Sequence, residues 1–228
     1  GERAIREPRR AAIGLLFELL GREVGSRRDL APVRSFDAPK LAVLIHTIEC
    51  GLNAPVTSSV GRLFDAVAAL VGLRLIVTFE GQAAMDLEFA VPADDEAGDG
   101  YPFRIADAGP ANMTTDEQWQ AAVVVDWRPT VAAILDDLAR GVPTGTIAAR
   151  FHDTLAAVIV AVAHHLGEPH VALTGGCFQN RRLTERVVAR LRTAGFRPYW
   201  HQRVPPNDGG IALGQAVAAM RHERVDGL

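Results

Sequence analysis

The 228 residues carry a formal net charge of −3, with 48% hydrophobic and 22% charged residues, an ordinary globular balance sufficient for one large domain or two small lobes. A mildly acidic total gives no electrostatic footprint for nucleic acid or an anionic membrane, although a local patch can hide in a small net charge. Two cysteines, Cys50 and Cys177, stand in no CxxC or Cys/His spacing; this excludes a disulfide framework, argues against structural zinc and suits a cytoplasmic setting. No uninterrupted apolar run approaches the roughly 18–20 residues that span a bilayer. The first ten residues are charged, lack the apolar core of a signal peptide and include no initiator methionine, so the chain is expected to begin within a longer protein.

The first half reads as helices. Ala11 to Leu20 and Lys40 to Cys50 are apolar stretches of helical length. In the third, Val60, Leu63, Phe64, Val67, Leu70 and Val71 repeat at the spacing of one helical face; Ser58 or Ser59 supplies the N-cap and Gly72 the stop. A fourth helix is expected from Gln82 to about Ala90. Pro92 to Gly100, rich in Asp, Gly and Ala, reads as an exposed loop. Two strand-like runs follow, Tyr101 to Ile105 and Ala121 to Val125, then helices over about Pro129 to Arg140 and Thr146 to Leu166. From His170 the order is strand, helix, strand, helix: Val171 to Leu173, a helix burying Leu183, Val187, Val188 and Leu191, a strand near Arg197 to His201, and a last apolar helix to about Met220. That alternation points to an α/β fold. Residues 1–100 form a mainly helical portion and 101–228 an α/β portion.

Chemistry concentrates in two loops. At Thr174-Gly175-Gly176-Cys177-Phe178-Gln179-Asn180 a strand ends, two glycines turn the chain and a helix starts. Glycines let a ligand approach the backbone, helix N-terminal amides suit an anion, and Asn180 offers a donor and an acceptor; the same pattern also serves as a plain strand-to-helix turn. In Pro205-Pro206-Asn207-Asp208-Gly209-Gly210, Asp208 either caps the helix or offers a carboxylate to a hard cation. Asp65 shares a helical face with Gly61, and Asp86 follows Phe79-Glu80-Gly81; each alone reads more readily as a solvated carboxylate than as a ligand. Asp136-Asp137 reads as solvated helix surface, His46 and His152 as core or surface residues, and Cys177 as a small packed residue with no evident base beside it.

Several segments together resemble the HypF hydrogenase-maturation proteins: Arg6 to Arg10, Asn53 to Ala68, Phe79 to Ala84, Ala149 to Leu155, Gly175 to Asn180 and Val204 to Gln215. The resemblance covers essentially the whole chain. It implies an actin/hexokinase-like (RNase H-like) ATPase lobe with a helical insertion. It also implies a carbamoyltransferase that uses carbamoyl phosphate and ATP, through carbamoyl-adenylate, to carbamoylate a cysteine of a HypE-type acceptor, with neither nucleic acid nor membrane as partner. By the same resemblance Gly175, Gly176 and Asn180 meet the nucleotide, Asp65, Gly81 and Asp86 line its ribose or adenine side, and Asp208 is one ligand of a divalent metal (Fe, Zn or Mg).

In that family a pair of metal-binding histidines precedes the segment matching Arg6 to Arg10, so the chain is expected to hold only part of the site and to be inactive by itself. Arg9, Asp86, Asp153 and Cys177 replace the family's tryptophan, glutamate, asparagine and valine. The rival readings are an O-carbamoyltransferase, a tRNA threonylcarbamoyl transferase relative, and a catalytically silent nucleotide-binding lobe.

Overall fold

A computed structural model describes residues 3–95, 98–107 and 123–225, the last five as backbone only. It divides into two compact units, 1–155 and 156–228. The division falls inside a long helix, whereas the change of sequence texture falls near residue 100. The first is a boundary of compactness, the second one of composition and proposed role.

The first unit is helical: α1 (Arg3–Arg6), α2 (Pro8–Leu20), a 3-10 turn over Gly21–Ser26, α3 (Ala31–Arg34), α4 (Ala38–Glu49), α5 (Val60–Leu70) and α6 (Gln82–Phe89). Pro8 fits the first turn of α2, where its missing N–H is no loss. Asp37 caps α4 by accepting from the Lys40 N–H at 2.8 Å. Ser59, one of the two serines the sequence offers, caps α5 by accepting from the Arg62 N–H at 3.3 Å. α2 lies against α5, and Ala12, Ile13, Leu16, Ala66, Ala69 and Leu70 are buried between them with Val24 and Val33. The 3-10 turn and α3 are additions to the predicted elements; both are too short to show a hydrophobic period. Arg9 sets its guanidinium 4.2 Å above the Phe36 ring, a flat cationic group on an aromatic surface.

β1 (Arg104–Asp107) and β2 (Val123–Asp126) pair antiparallel, with Arg104 opposite Asp126. The strand expected over Tyr101 to Ile105 starts late because Tyr101 is engaged elsewhere. Its N–H donates to Thr154 Oγ1 at 2.6 Å and its hydroxyl to Asp137 at 2.7 Å. Residues 121 and 122 of the second expected strand lie outside the described residues. α7 (Arg128–Ala139) and α8 (Thr144–Leu166) follow. By length and composition α8 could cross a bilayer, with mean hydropathy 1.5 over its most apolar window, which corrects the reading that no run approaches this. The sequence count looked for an unbroken apolar run, and polar residues interrupt this one. Over half of that window, 56%, is buried inside the fold, and Ile147, Ala148 and Phe151 are fully buried, which is how a core helix behaves.

The second unit holds the rest of α8 and the predicted alternation: β3 (His170–Leu173), α9 (Arg181–Thr193), β4 (Arg197–Trp200) and α10 (Ile211–Val225). β3 and β4 are parallel, with His170 opposite Arg197 and Leu173 opposite Trp200. α9 buries the four residues its period predicts, Leu183, Val187, Val188 and Leu191. Residues 211–220 of α10 are exposed throughout, Ile211, Leu213 and Met220 each by more than half.

Candidate functional site

In the second unit the two loops singled out by sequence meet. Gly175 leaves β3 at φ 102°, a left-handed value that a side chain resists, and its N–H donates to the Pro206 carbonyl at 2.7 Å. Gly176 opens a 3-10 turn to Gln179. A β-carbon placed on Gly176 would meet nothing within 4 Å, so the backbone there faces open space. Gly210 is needed for the opposite reason, since a β-carbon on it would lie 2.7 Å from the Pro205 carbonyl oxygen.

Asn180 is buried, at 8% exposure, and its side-chain oxygen caps α9 by accepting from the Leu183 N–H at 2.8 Å. Its acceptor is therefore committed to the helix, which corrects the expectation that both halves of the amide are available to a ligand. The neighbouring cap also falls on another residue than the sequence suggested. Asn207 accepts from the Gly209 N–H at 3.1 Å, and Asp208 is exposed. Asp208 therefore has its carboxylate to spare for another role. Among the described residues no three His, Cys, Asp or Glu side chains gather to hold a metal. Asp208 fits as one ligand of a metal, not as a complete site.

In the first unit Asp65 and Asp86 fall on the adjoining helices α5 and α6. Gly81, at φ 81°, precedes α6. Asp86 is paired with Arg74, whose Nε donates at 2.5 Å, so its charge is already matched. Asp65 differs. It is 4% exposed. Arg62 Nη1 comes within 2.8 Å of Oδ2, yet that oxygen accepts no hydrogen bond. Nη1 donates instead to the Ala4 carbonyl at 3.4 Å. Burial pushes the Asp65 carboxyl up to about 6; Arg62 opposes the rise and Glu80 adds to it. A buried acceptor without a donor is costly in a folded protein and marks a place where a donor is wanted.

One cluster escaped the sequence reading. Asp137, expected on the solvated surface with Asp136, is 1% exposed. It accepts from the Tyr101 hydroxyl at 2.7 Å and Arg150 Nη1 at 2.6 Å, and also from Arg140. Burial raises its pKa, but these three donors outweigh burial and hold the carboxylate below its usual range. The same burial, with the Asp137 charge beside it, pushes the Tyr101 phenol well up. A cavity of about 300 Å³, with Asp99 and Asp136 at its edge, opens beside the cluster. The signal was available: Asp137 follows Val131 and Ile134 at three-residue intervals, on the apolar stripe of α7.

The strand, double-glycine turn and helix are joined to a proline-stiffened loop, and comparison gives the class. The family described as "Carbamoyltransferase, Kae1-like Domain, second subdomain" matches residues 1–215, and the chain belongs to it. Its relatives narrow the assignment to the C-terminal subdomain of the HypF carbamoyltransferases. It is 41% identical over 170 residues to the carbamoyltransferase HypF of Synechocystis, covering 74% of this chain and 20% of the relative. The HypF of Rhizobium leguminosarum is 37% identical over 224 residues, covering 96% of this chain and 26% of that protein. Full-length HypF, solved in a phosphate- and nucleotide-bound form, superposes with a TM-score of 0.81 at 35% identity, covering 96% of this chain and 27% of that one. The HypF of T. kodakarensis shares the fold, with a TM-score of 0.72 at 22% identity, covering 96% of this chain and 28% of its own. The chain thus spans about a quarter of the length of these four proteins.

Proposed function

We propose that this chain supplies part of the nucleotide site of a HypF-type carbamoyltransferase, within an actin/hexokinase-like ATPase lobe. In the intact protein the reaction takes carbamoyl phosphate and ATP through carbamoyl-adenylate, and the carbamoyl group passes to a cysteine of a HypE-type acceptor in the cytoplasm. The observation that carries this reading is the open backbone at Gly176 beside the Pro206 loop. It belongs to a chain whose solved counterpart, at 35% identity, holds phosphate and nucleotide. In this reading residues 101–228 act as the nucleotide-binding lobe and 1–100 as its helical flank, with Asp65, Gly81 and Asp86 on the ribose or adenine side.

The chemistry follows from the groups present. Backbone amides at a glycine turn donate to phosphate oxygens without a side chain in the way. Held rigid, such donors stabilise the charge that builds on the adenylate phosphate as a thiolate attacks the carbamoyl carbon and AMP departs. The nucleophile belongs to the acceptor, so Cys177 has no covalent task. A divalent metal, when bound, would add charge stabilisation at the phosphate; Asp208 would be one of its ligands, with the others outside the described residues.

The test is Gly176→Val in the full-length protein. Because a β-carbon at this position meets nothing within 4 Å, the fold should hold and the melting temperature should stay within a degree or two. The added bulk should block the phosphate and weaken ATP binding by tenfold or more, about 1.4 kcal/mol per factor of ten. Unchanged affinity by calorimetry would move the phosphate away from this turn.

A further inference from the structure

We propose that binding of a nucleoside at the α5–α6 group is coupled to release of a proton from the Asp65 carboxyl. This rests on the nucleotide reading of Asp65 and adds a regulation to it.

The geometry sets up the coupling. Asp65 sits on the inner side of α5 with its side chain 5% exposed, so water cannot solvate a charge there. Its Oδ2 accepts no hydrogen bond, and Arg62, the one cation beside it among the described residues, is close without being aligned and is 25% exposed. Glu80, exposed in the segment before Gly81, repels the charged form. Among the described residues the other elements around α5 offer no compensation: on α1, whose Ala4 carbonyl accepts from Arg62, Arg3 and Arg6 are exposed. α2 and α3 present the apolar cluster of Ile13, Leu16 and Val33, and Arg9, Arg10 and Glu7 at the start of α2 pair with one another. On α6, Asp86 is matched by Arg74. From α8, His152 lies against Phe64, ring centroids 5.4 Å apart, with its Nδ1 at the Ala148 carbonyl. The carboxyl is thus poised to hold its proton in the free protein. Burial and Glu80 both favour that state, putting the midpoint at about 6.

A nucleoside hydroxyl changes the balance. It donates a hydrogen bond to a carboxylate more strongly than to a carboxylic acid, so a bound hydroxyl favours the charged form and lowers the pKa. The proton leaves Asp65 for solvent as the hydroxyl takes its place at the oxygen. By linkage, affinity rises with pH up to the midpoint of the free carboxyl and is level above it; below, it falls by up to tenfold per pH unit.

Adenosine is the probe, because it carries no phosphate to titrate in the same range. Its affinity for the full-length protein should be measured from pH 5 to 8, by calorimetry in buffers of different ionisation heats. The expected result is proton release near pH 6 that is absent in Asp65→Asn. Glu80→Gln, which removes the repelling charge without touching the carboxyl, should shift the midpoint to lower pH; a purely structural Asp65 would not respond. Two results overturn the proposal and are distinguishable. If Asp65→Asn leaves adenosine affinity unchanged at every pH, Asp65 is no ligand contact and the nucleotide reading of α5 fails as well. If Asp65→Asn weakens binding but the native protein releases no proton, the contact stands and the coupling is wrong.

Discussion

Asp65 carries a cost that shows in stability. Its folded pKa, about 6, lies above the ordinary aspartate value of 3.8. The folded state therefore binds more protons than the unfolded state between those values, and stability falls as pH rises through that window. Above it the whole penalty is present, about 3 kcal/mol for a shift of about two pH units. Asp65→Asn should remove the charge and stabilise the fold at pH 7 to 8 by about 1–3 kcal/mol, less than the full amount because a buried amide also lacks a partner. Urea unfolding at pH 4 and pH 8 checks this: the gain should be present at the higher pH and shrink at the lower. Asn180 calls for a paired test, since it is both a cap and a proposed ligand contact. Asn180→Ala should cost about 0.5–2 kcal/mol of stability through the lost cap. Asn180→Asp keeps the acceptor for the Leu183 N–H and should keep most of that stability. If Asp also preserves ATP affinity, the amide of Asn180 does not touch the nucleotide.

At the level of elements, the segment from Gly98 to Pro102 is strapped to α7 and α8. The Gly98 N–H donates to Asp153, the Tyr101 N–H to Thr154, the Tyr101 hydroxyl to Asp137, and Thr130 to the Pro102 carbonyl. A β-carbon on Gly100 would come within 2.5 Å of the Thr154 nitrogen, so the strap lies on the helix backbone with no room between. Asp137 ties it down. Asp137→Ala would leave the Tyr101 hydroxyl without its acceptor and open a void. It should destabilise the protein by about 2–4 kcal/mol in chemical unfolding; the partial exposure of Arg140 and Arg150 limits their share of that loss. A loss under half a kcal/mol would return Asp137 to the surface role its neighbour Asp136 plays.

For the whole molecule, the chain spans about a quarter of the length of those four HypF proteins, and activity is expected of the full-length protein. Incubated with carbamoyl phosphate, ATP and a HypE-type acceptor, this chain by itself should leave the acceptor mass unchanged. Asp208, its one proposed metal ligand among the described residues, offers too few donors by itself to compete with water for a transition metal. A carbamoyl adduct on the acceptor by intact mass would show that this chain suffices.

By itself the sequence determined the elements with strong periods, α5 and α9 among them, because burial of one helical face imposes its spacing on the residues. It also determined the family, because the glycines and prolines at Gly175, Gly176 and Pro205 to Gly210 are legible one residue at a time; backbone geometry demands Gly175 and Gly210. Tertiary structure decided the rest. Whether Asn180 faces a ligand or caps a helix, and whether Asn207 or Asp208 closes the next turn, depends on which side-chain conformation the folded backbone selects among near neighbours. Whether Asp137 meets water or two arginines depends largely on Tyr101 and Arg150, distant in sequence. A carboxylate is written the same way in all these places; its charge state and its role come from the solvent and donors that folding leaves around it.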